Sequence, residues 1–250
     1  MSATNIQANR LANPDNKADH CKPLPAEKCS PSLKTWKKKG CITEAEYNYA
    51  INTQPIPVPF CIDMSGEGDG PWEFNSWCYC SCLAKGTKIL VEDSVAKESL
   101  WVPIEEVVAD QTRYSLLVPS GDSTRSSMKY QRAGIKTYTV GPEEIALVVL
   151  SMRDGSELIL TGNHQVLNAD GRLIEASNLL EGANLVSFDG TLIEIEKIGH
   201  RIVIDDVYNV LTDGQSDLSH FIFAERLTVG DLLWENTSKE RIDSLNFPQE

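Results

Sequence analysis

From Gly86 onward the chain is built of short runs of Val, Ile, Leu, Thr and Tyr, cut by turn residues. Thr87–Val91, Ser115–Val118, Ile135–Val140, Ile145–Met152, Glu157–Leu160, Leu192–Ile198, Arg201–Leu211 and Phe221–Ala224 are such runs, and each predicts a strand. Turn signals separate several of them: Pro119–Asp122, Arg153–Gly155, Ala169–Gly171 and Asp213–Gly214. Helical periodicity is scarce. Beyond the first third, only Ala176–Leu180 reads as a helix, and a short one. Strands this frequent with helices this rare predict an all-β fold rather than an α/β sheet.

The first third has a different texture. Pro14, Pro23, Pro25, Pro31, Pro55, Pro57 and Pro59 remove backbone donors and break helices. One helix is expected over Thr43–Ile51, because Thr43 followed by Glu46 forms a capping-box pattern. Lys37–Lys39 reads as a solvated charge run. All seven cysteines, Cys21, Cys29, Cys41, Cys61, Cys78, Cys80 and Cys82, fall at or before residue 82. A segment this poor in regular signals needs staples. Six cysteines supply three, in any of 15 pairings, and leave one over.

Charge divides the chain at the same place. Residues 1–81 sum to −1, residues 82–231 to −10 and residues 232–250 to −2, out of a total of −13. So acidic a protein is not expected to coat nucleic acid or an anionic membrane. The longest apolar stretch, Ile145–Leu150, is far short of the roughly 18 residues of a membrane helix. Residues 1–20 lack the apolar core of a signal peptide, although a cysteine-rich segment suits secretion. Three regions are therefore expected: a Cys/Pro-rich segment over 1–81, a β-rich domain over 82–231 and a polar tail over 232–250.

Three separated patterns carry the candidate chemistry. Cys82-Leu-Ala-Lys-Gly-Thr-Lys-Ile89 comes first, followed by Trp101-Val-Pro-Ile-Glu-Glu-Val107. Thr161-Gly-Asn-His164 follows the strand Glu157–Leu160. Val207-Tyr-Asn-Val210 comes last, with His220-Phe-Ile-Phe-Ala224 after it. Each has a bland reading: Cys82 as a half-cystine or core filler, Thr161 and His164 as a strand-to-turn junction, His220 as a packed histidine. Trp101, Ile104 and Val107 read as core anchors, and His200, after Gly199, as a turn residue.

Taken in order and at this spacing, the patterns resemble the Hint superfamily, which comprises inteins, bacterial intein-like domains and hedgehog C-terminal regions. The resemblance covers about residues 82–231 and implies a horseshoe-like β fold with very short helices. It also implies single-turnover self-processing, with the protein's own flanking segment as substrate and no cofactor or metal. By that resemblance Cys82 attacks the carbonyl of Ser81 and converts the Ser81–Cys82 amide to a thioester. His164 would protonate the leaving nitrogen, since imidazole titrates near neutrality, and Thr161 would hold the amide or the oxyanion. Water, a thiol or an amine would then accept the acyl group.

The departures are informative. Splicing inteins end in His-Asn followed by Cys, Ser or Thr. Aligned from His220, the pair here is Gly230-Asp231, and Leu232 follows. An aspartate has no amide nitrogen to close a succinimide, so N-terminal cleavage rather than full splicing is expected. Asn236-Thr237 is the alternative C-terminal junction. Asn209 stands where inteins often carry aspartate, and a carboxamide exchanges hydrogen bonds but is no base. Asp205, Asp206, Asp213 and Asp217 are nearby carboxylates, each also readable as loop solvation.

Trp77-Cys-Tyr-Cys-Ser-Cys82 sets three alternating thiols at the expected scissile bond. Cys78 or Cys80 is a candidate redox partner that silences Cys82 until reduction. A Cys-x-Cys-x-Cys zinc module is a rival, although structural zinc prefers wider spacing and four ligands. An inert Hint-fold connector is the other.

Overall fold

The computed structural model describes residues 32–51, 57–65, 70–79, 82–142, 146–202, 205–235, 237 and 239–250. The expectations for Cys80, Ser81 and Asn236 fall outside the described residues, as does the side chain of Cys78.

Helices α1 (Ser32–Lys38) and α2 (Glu44–Ile51) precede an antiparallel pair, β1 (Pro57–Asp63) and β2 (Trp72–Tyr79). The capping box is made. Glu46 Oε2 accepts from the Thr43 N–H at 2.8 Å, and Thr43 Oγ1 accepts from the Glu46 N–H at 3.2 Å. Leu33, Trp36, Ile42 and Ala50 bury a small core beside the Cys41–Cys61 disulfide. The lysine run is not simply solvated. Lys37 Nζ lies 4.0 Å from the Tyr47 ring centre and Lys39 Nζ 4.4 Å from that of Trp72, so both ammonium groups sit over aromatic faces.

The β-rich part contains two larger sheets around one core. The first runs β13 (Asn184–Val186), β14 (Leu192–Arg201), β9 (Leu147–Met152), β10 (Glu157–Leu160), β3 (Leu83–Ala84), β15 (Asp206–Thr212), β8 (Ile135–Pro142). The second runs β12 (Leu173–Glu175), β11 (Gln165–Leu167), β17 (Leu227–Gly230), β16 (Phe221–Ala224), β4 (Lys88–Asp93), β6 (Tyr114–Pro119), β7 (Tyr130–Ala133), and β5 (Ser99–Pro103) pairs with β4. Leu83, Leu150, Leu158 and Leu160 of the first sheet meet Ile89, Val91, Leu116, Ile222 and Val229 of the second. Alternate inward positions of both sheets thus share one interior, as face-to-face packing requires.

Several expectations change. The run Arg201–Leu211 is divided: Arg201 ends β14, which pairs with β9, whereas β15 starts at Asp206 and pairs with β8. Ile202, between them, is 75% exposed, so apolar composition continues where the strand does not. His200 is no turn residue but an exposed strand position opposite Val148. Helix α3 (Ile104–Ala109) was not expected; its Ile104, Val107 and Val108 form a buried i, i+3, i+4 face too short to stand out from a strand run. Ala176–Leu180 shortens to a 3₁₀ turn, Ala176–Asn178. The expected polar tail packs onto the β-rich part through α4 (Leu232–Glu235) and Phe247, with α5 (Lys239–Ser244) between. Among the described residues, no helix is long and apolar enough to cross a membrane.

Candidate functional site

Cys82 is placed by the short strand that follows it. In β3, Leu83 pairs with Leu160 of β10 and with Tyr208 of β15, and Ala84 pairs with Val207. The residue ahead of β3 is thereby drawn into the sheet. Cys82 is fully buried among Ala84, Leu147 and Val207 and is not in a disulfide. Its Sγ lies 3.7 Å from Thr139 Oγ1 on β8, and a hydroxyl there can donate to a thiolate.

Thr161, directly after β10, holds Cys82 from two sides. The Cys82 N–H donates to Thr161 Oγ1 at 2.9 Å, and the Thr161 N–H donates to the Cys82 carbonyl at 2.9 Å. The nitrogen so gripped is that of the Ser81–Cys82 amide. The turn then closes on itself, with the His164 N–H donating to the Thr161 carbonyl at 3.1 Å. The 3₁₀ turn after β12 pins it: Ala176 N–H donates to the His164 carbonyl and Ser177 N–H to that of Gly162. Gly162 permits this approach, since a Cβ there would lie 3.3 Å from Ser177 Cβ.

The His164 ring is wholly buried, and Nδ1 lies 2.7 Å from Oε1 of Glu235, itself wholly buried at the side chain. The contact is one of proximity rather than an aligned hydrogen bond, and Nε2 has no hydrogen-bonding partner among the described residues. Asn209, opposite Thr139 across the β8–β15 ladder, is buried, and its Oδ1 accepts from the Val210 N–H at 2.7 Å.

His220 and Asp231 form a separate cluster. Their Nδ1–Oδ2 distance is 2.8 Å, and Asp231 is fully buried. Asp231 Oδ2 also accepts from the Thr212 N–H at 2.9 Å, and Oδ1 from the Leu233 N–H at 2.8 Å. The second of these contacts opens α4. Thr212 Oγ1 is 3.0 Å from His220 Nδ1. Position 230 has little room for a side chain: a Cβ on Gly230 would stand 3.0 Å from Trp234 Cβ and 3.3 Å from Gln165 Cβ. The other nearby carboxylates face outward duties. Asp205 pairs with Lys85, Asp213 accepts from the Gly134 N–H, and Asp217 pairs with Arg241.

Sequence reasoning missed Thr139 and Glu235. Thr139 is an ordinary strand threonine with no distinguishing signal. Glu235 had one hint, the apolar Leu232-Leu-Trp ahead of it, which marks a buried turn of helix inside a supposedly polar tail. Among the described residues no group of three or more His, Cys, Asp or Glu side chains is arranged to hold a metal ion.

No protein-family model matches the chain, and no curated protein matches it. Among solved structures, the crystal structure of an intein from a hyperthermophile is similar at a TM-score of 0.51 and 15% identity, over 61% of this chain and 100% of that one. The β-rich part has the Hint fold. The solution structure of a bacterial intein-like domain from Clostridium thermocellum is similar at a TM-score of 0.47 and 19% identity, over 60% of this chain and 97% of that one. A DnaB intein from Synechocystis gives 0.46 and 15%, over 61% and 99%. These likenesses concern the fold alone.

Proposed function

We propose that this Hint fold processes its own chain, cleaving at Ser81–Cys82 without splicing. One observation carries the reading: a buried thiol outside any disulfide sits on a residue whose own amide nitrogen is held by Thr161 Oγ1 at 2.9 Å. Holding that nitrogen restricts the amide relative to the sulfur of the same residue, which favours an attack geometry over free rotation.

In the first step Cys82 Sγ bonds to the Ser81 carbonyl carbon and the C–N bond breaks. The thiol proton leaves sulfur and a proton arrives on the departing nitrogen, which becomes the free amine of Cys82. His164 is the group proposed to carry that proton, and Thr139 the hydroxyl that supports the sulfur as it loses its own. Water then attacks the thioester, giving a carboxylate at Ser81 and regenerating the Cys82 thiol. Asn209, its oxygen committed to Val210, serves as a positioning neighbour rather than a base.

At Asp231 the surroundings argue against a second cleavage. The Asp231–Leu232 bond enters α4, the Asp231 carboxylate caps that helix, and the Asp231 carbonyl accepts from the Trp234 N–H. Neither a cyclising carboxamide nor a free bond is offered there.

The test is incubation of the purified full chain with dithiothreitol, followed by intact mass. A fragment ending at Ser81 is expected from the wild type and not from Cys82→Ala. An intact wild type under these conditions overturns the reading in favour of an inert Hint-fold connector. Equal rates with and without reductant remove redox gating by Cys78 or Cys80.

A further inference from the structure

We infer that Glu235 is a positioning residue for His164, so that the segment after Asp231 completes the site at the opposite junction. This rests on the self-processing reading for its consequence, and on geometry alone for the pairing. Both side chains are fully buried, and Nδ1 and Oε1 are 2.7 Å apart. A buried carboxylate is costly, and an imidazole at contact distance offsets part of that cost.

Glu235 is not free to swing. Asp231 Oδ1 accepts from the Leu233 N–H, and the Asp231 carbonyl accepts from the Trp234 N–H, which together set the start of α4. Trp234 is fully buried, its ring centre 5.8 Å from that of Phe221, and Phe221 lies 5.4 Å from Phe247. Leu232 is buried as well, and Thr237 Oγ1 donates to the Leu233 carbonyl at 2.6 Å. The carboxylate is thus delivered to His164 by a packed framework.

A carboxylate beside one ring nitrogen favours the ring orientation and the tautomer that turn an N–H toward it, even where the resting contact is proximity and not an aligned hydrogen bond. With Nδ1 engaged by Glu235, Nε2 is the nitrogen left for proton exchange with the reacting amide. The arrangement also gives the Gly230-Asp231 departure a purpose. Release of the chain after Asp231 would take Glu235 away from His164, so a residue that does not cyclise keeps the first site intact.

The experiment has two readouts on the full chain. In Cys82→Ala protein, which does not cleave, 15N spectra of the histidine rings are recorded with Glu235 intact, as Glu235→Gln and as Glu235→Asp, and His164→Gln assigns the signal. In the Cys82 background the same Glu235 variants are timed for cleavage, with thermal midpoints as a check on folding. The expected result is a His164 pattern with the proton held on Nδ1, lost in Glu235→Gln and at least partly kept in Glu235→Asp. Cleavage is expected to slow about 10- to 100-fold in Glu235→Gln, as for lost partners of functional histidines, and less in Glu235→Asp.

An unchanged His164 pattern in Glu235→Gln overturns the inference. So do equal losses in the Gln and Asp variants, because those point to packing and not to the carboxylate. A wild type that never cleaves defeats the self-processing reading alone; the ring spectra still decide whether Glu235 sets the proton on His164.

Discussion

His164–Glu235 and His220–Asp231 are chemically alike, at 2.7 and 2.8 Å, yet their surroundings are opposite. Asp231 accepts from two backbone N–H groups besides facing His220, and Thr212 contacts the same ring nitrogen. Around His164 neither ring nitrogen has an aligned hydrogen bond, although the ring is completely buried. A satisfied buried network rigidifies a fold, whereas a buried polar group left short of partners marks strain, catalysis or an absent occupant. On the proposed reading the first pair is the working one and the second a clamp.

The comparison breaks most readily at the clamp. Asp231→Ala strands the Thr212 and Leu233 donors and leaves His220 alone, so denaturant unfolding should show a loss of about 3–5 kcal/mol, as for one partner of a buried pair. A loss below about 1 kcal/mol would make the two clusters equivalent. At the working pair the effect should fall on rate instead. Thr161→Val frees the Cys82 N–H from its acceptor, and cleavage timed by mass should slow on the order of 10²-fold, the scale of a misplaced reacting group. Its unfolding midpoint should move far less than that of Asp231→Ala.

Gly230→Ala sharpens the clamp's limits. The added Cβ meets Trp234 Cβ at 3.0 Å, and overpacking of this kind costs about 1–3 kcal/mol. Calorimetry of that variant tests whether a histidine is missing from position 230 because it does not fit. The mildest expectation concerns a partly exposed third pair. The Arg113 guanidinium, hydrogen-bonded to Asp93, holds that carboxyl down to about 2, helped by the Val95 and Ala96 N–H groups. A lowered folded value means stabilisation that is complete above the ordinary carboxyl range of about 4 and fades as pH falls toward 2. Asp93→Asn should flatten acid unfolding in that window and leave cleavage at neutral pH unchanged.

What the sequence made legible follows from how local each signal is. The strand runs, the Thr43–Glu46 box and the order of Cys82, Thr161 and His164 are all contained in a few consecutive residues. The break between β14 and β15 was not legible, because Ile202 has the composition of a strand and the exposure of a loop. Thr139 and Glu235 reach the site only through β8–β15 pairing and the docking of α4, which depend on partners far away in the chain. Tail residues 232–250 looked polar because Leu232, Trp234 and Phe247 are scattered among charges, and only the fold gathers them.

Docking of α4 also has a meaning in time. A ribosome adds roughly 5–20 residues per second and domains fold as they emerge. Glu235 is made several seconds after His164, and β16 and β17, on which α4 rests, are themselves late. A nascent chain thus carries its thiol, its threonine and its histidine before it carries the carboxylate proposed to position that histidine. On the proposed reading, synthesis itself is a delay: the site is finished only after the upstream segment has had time to fold.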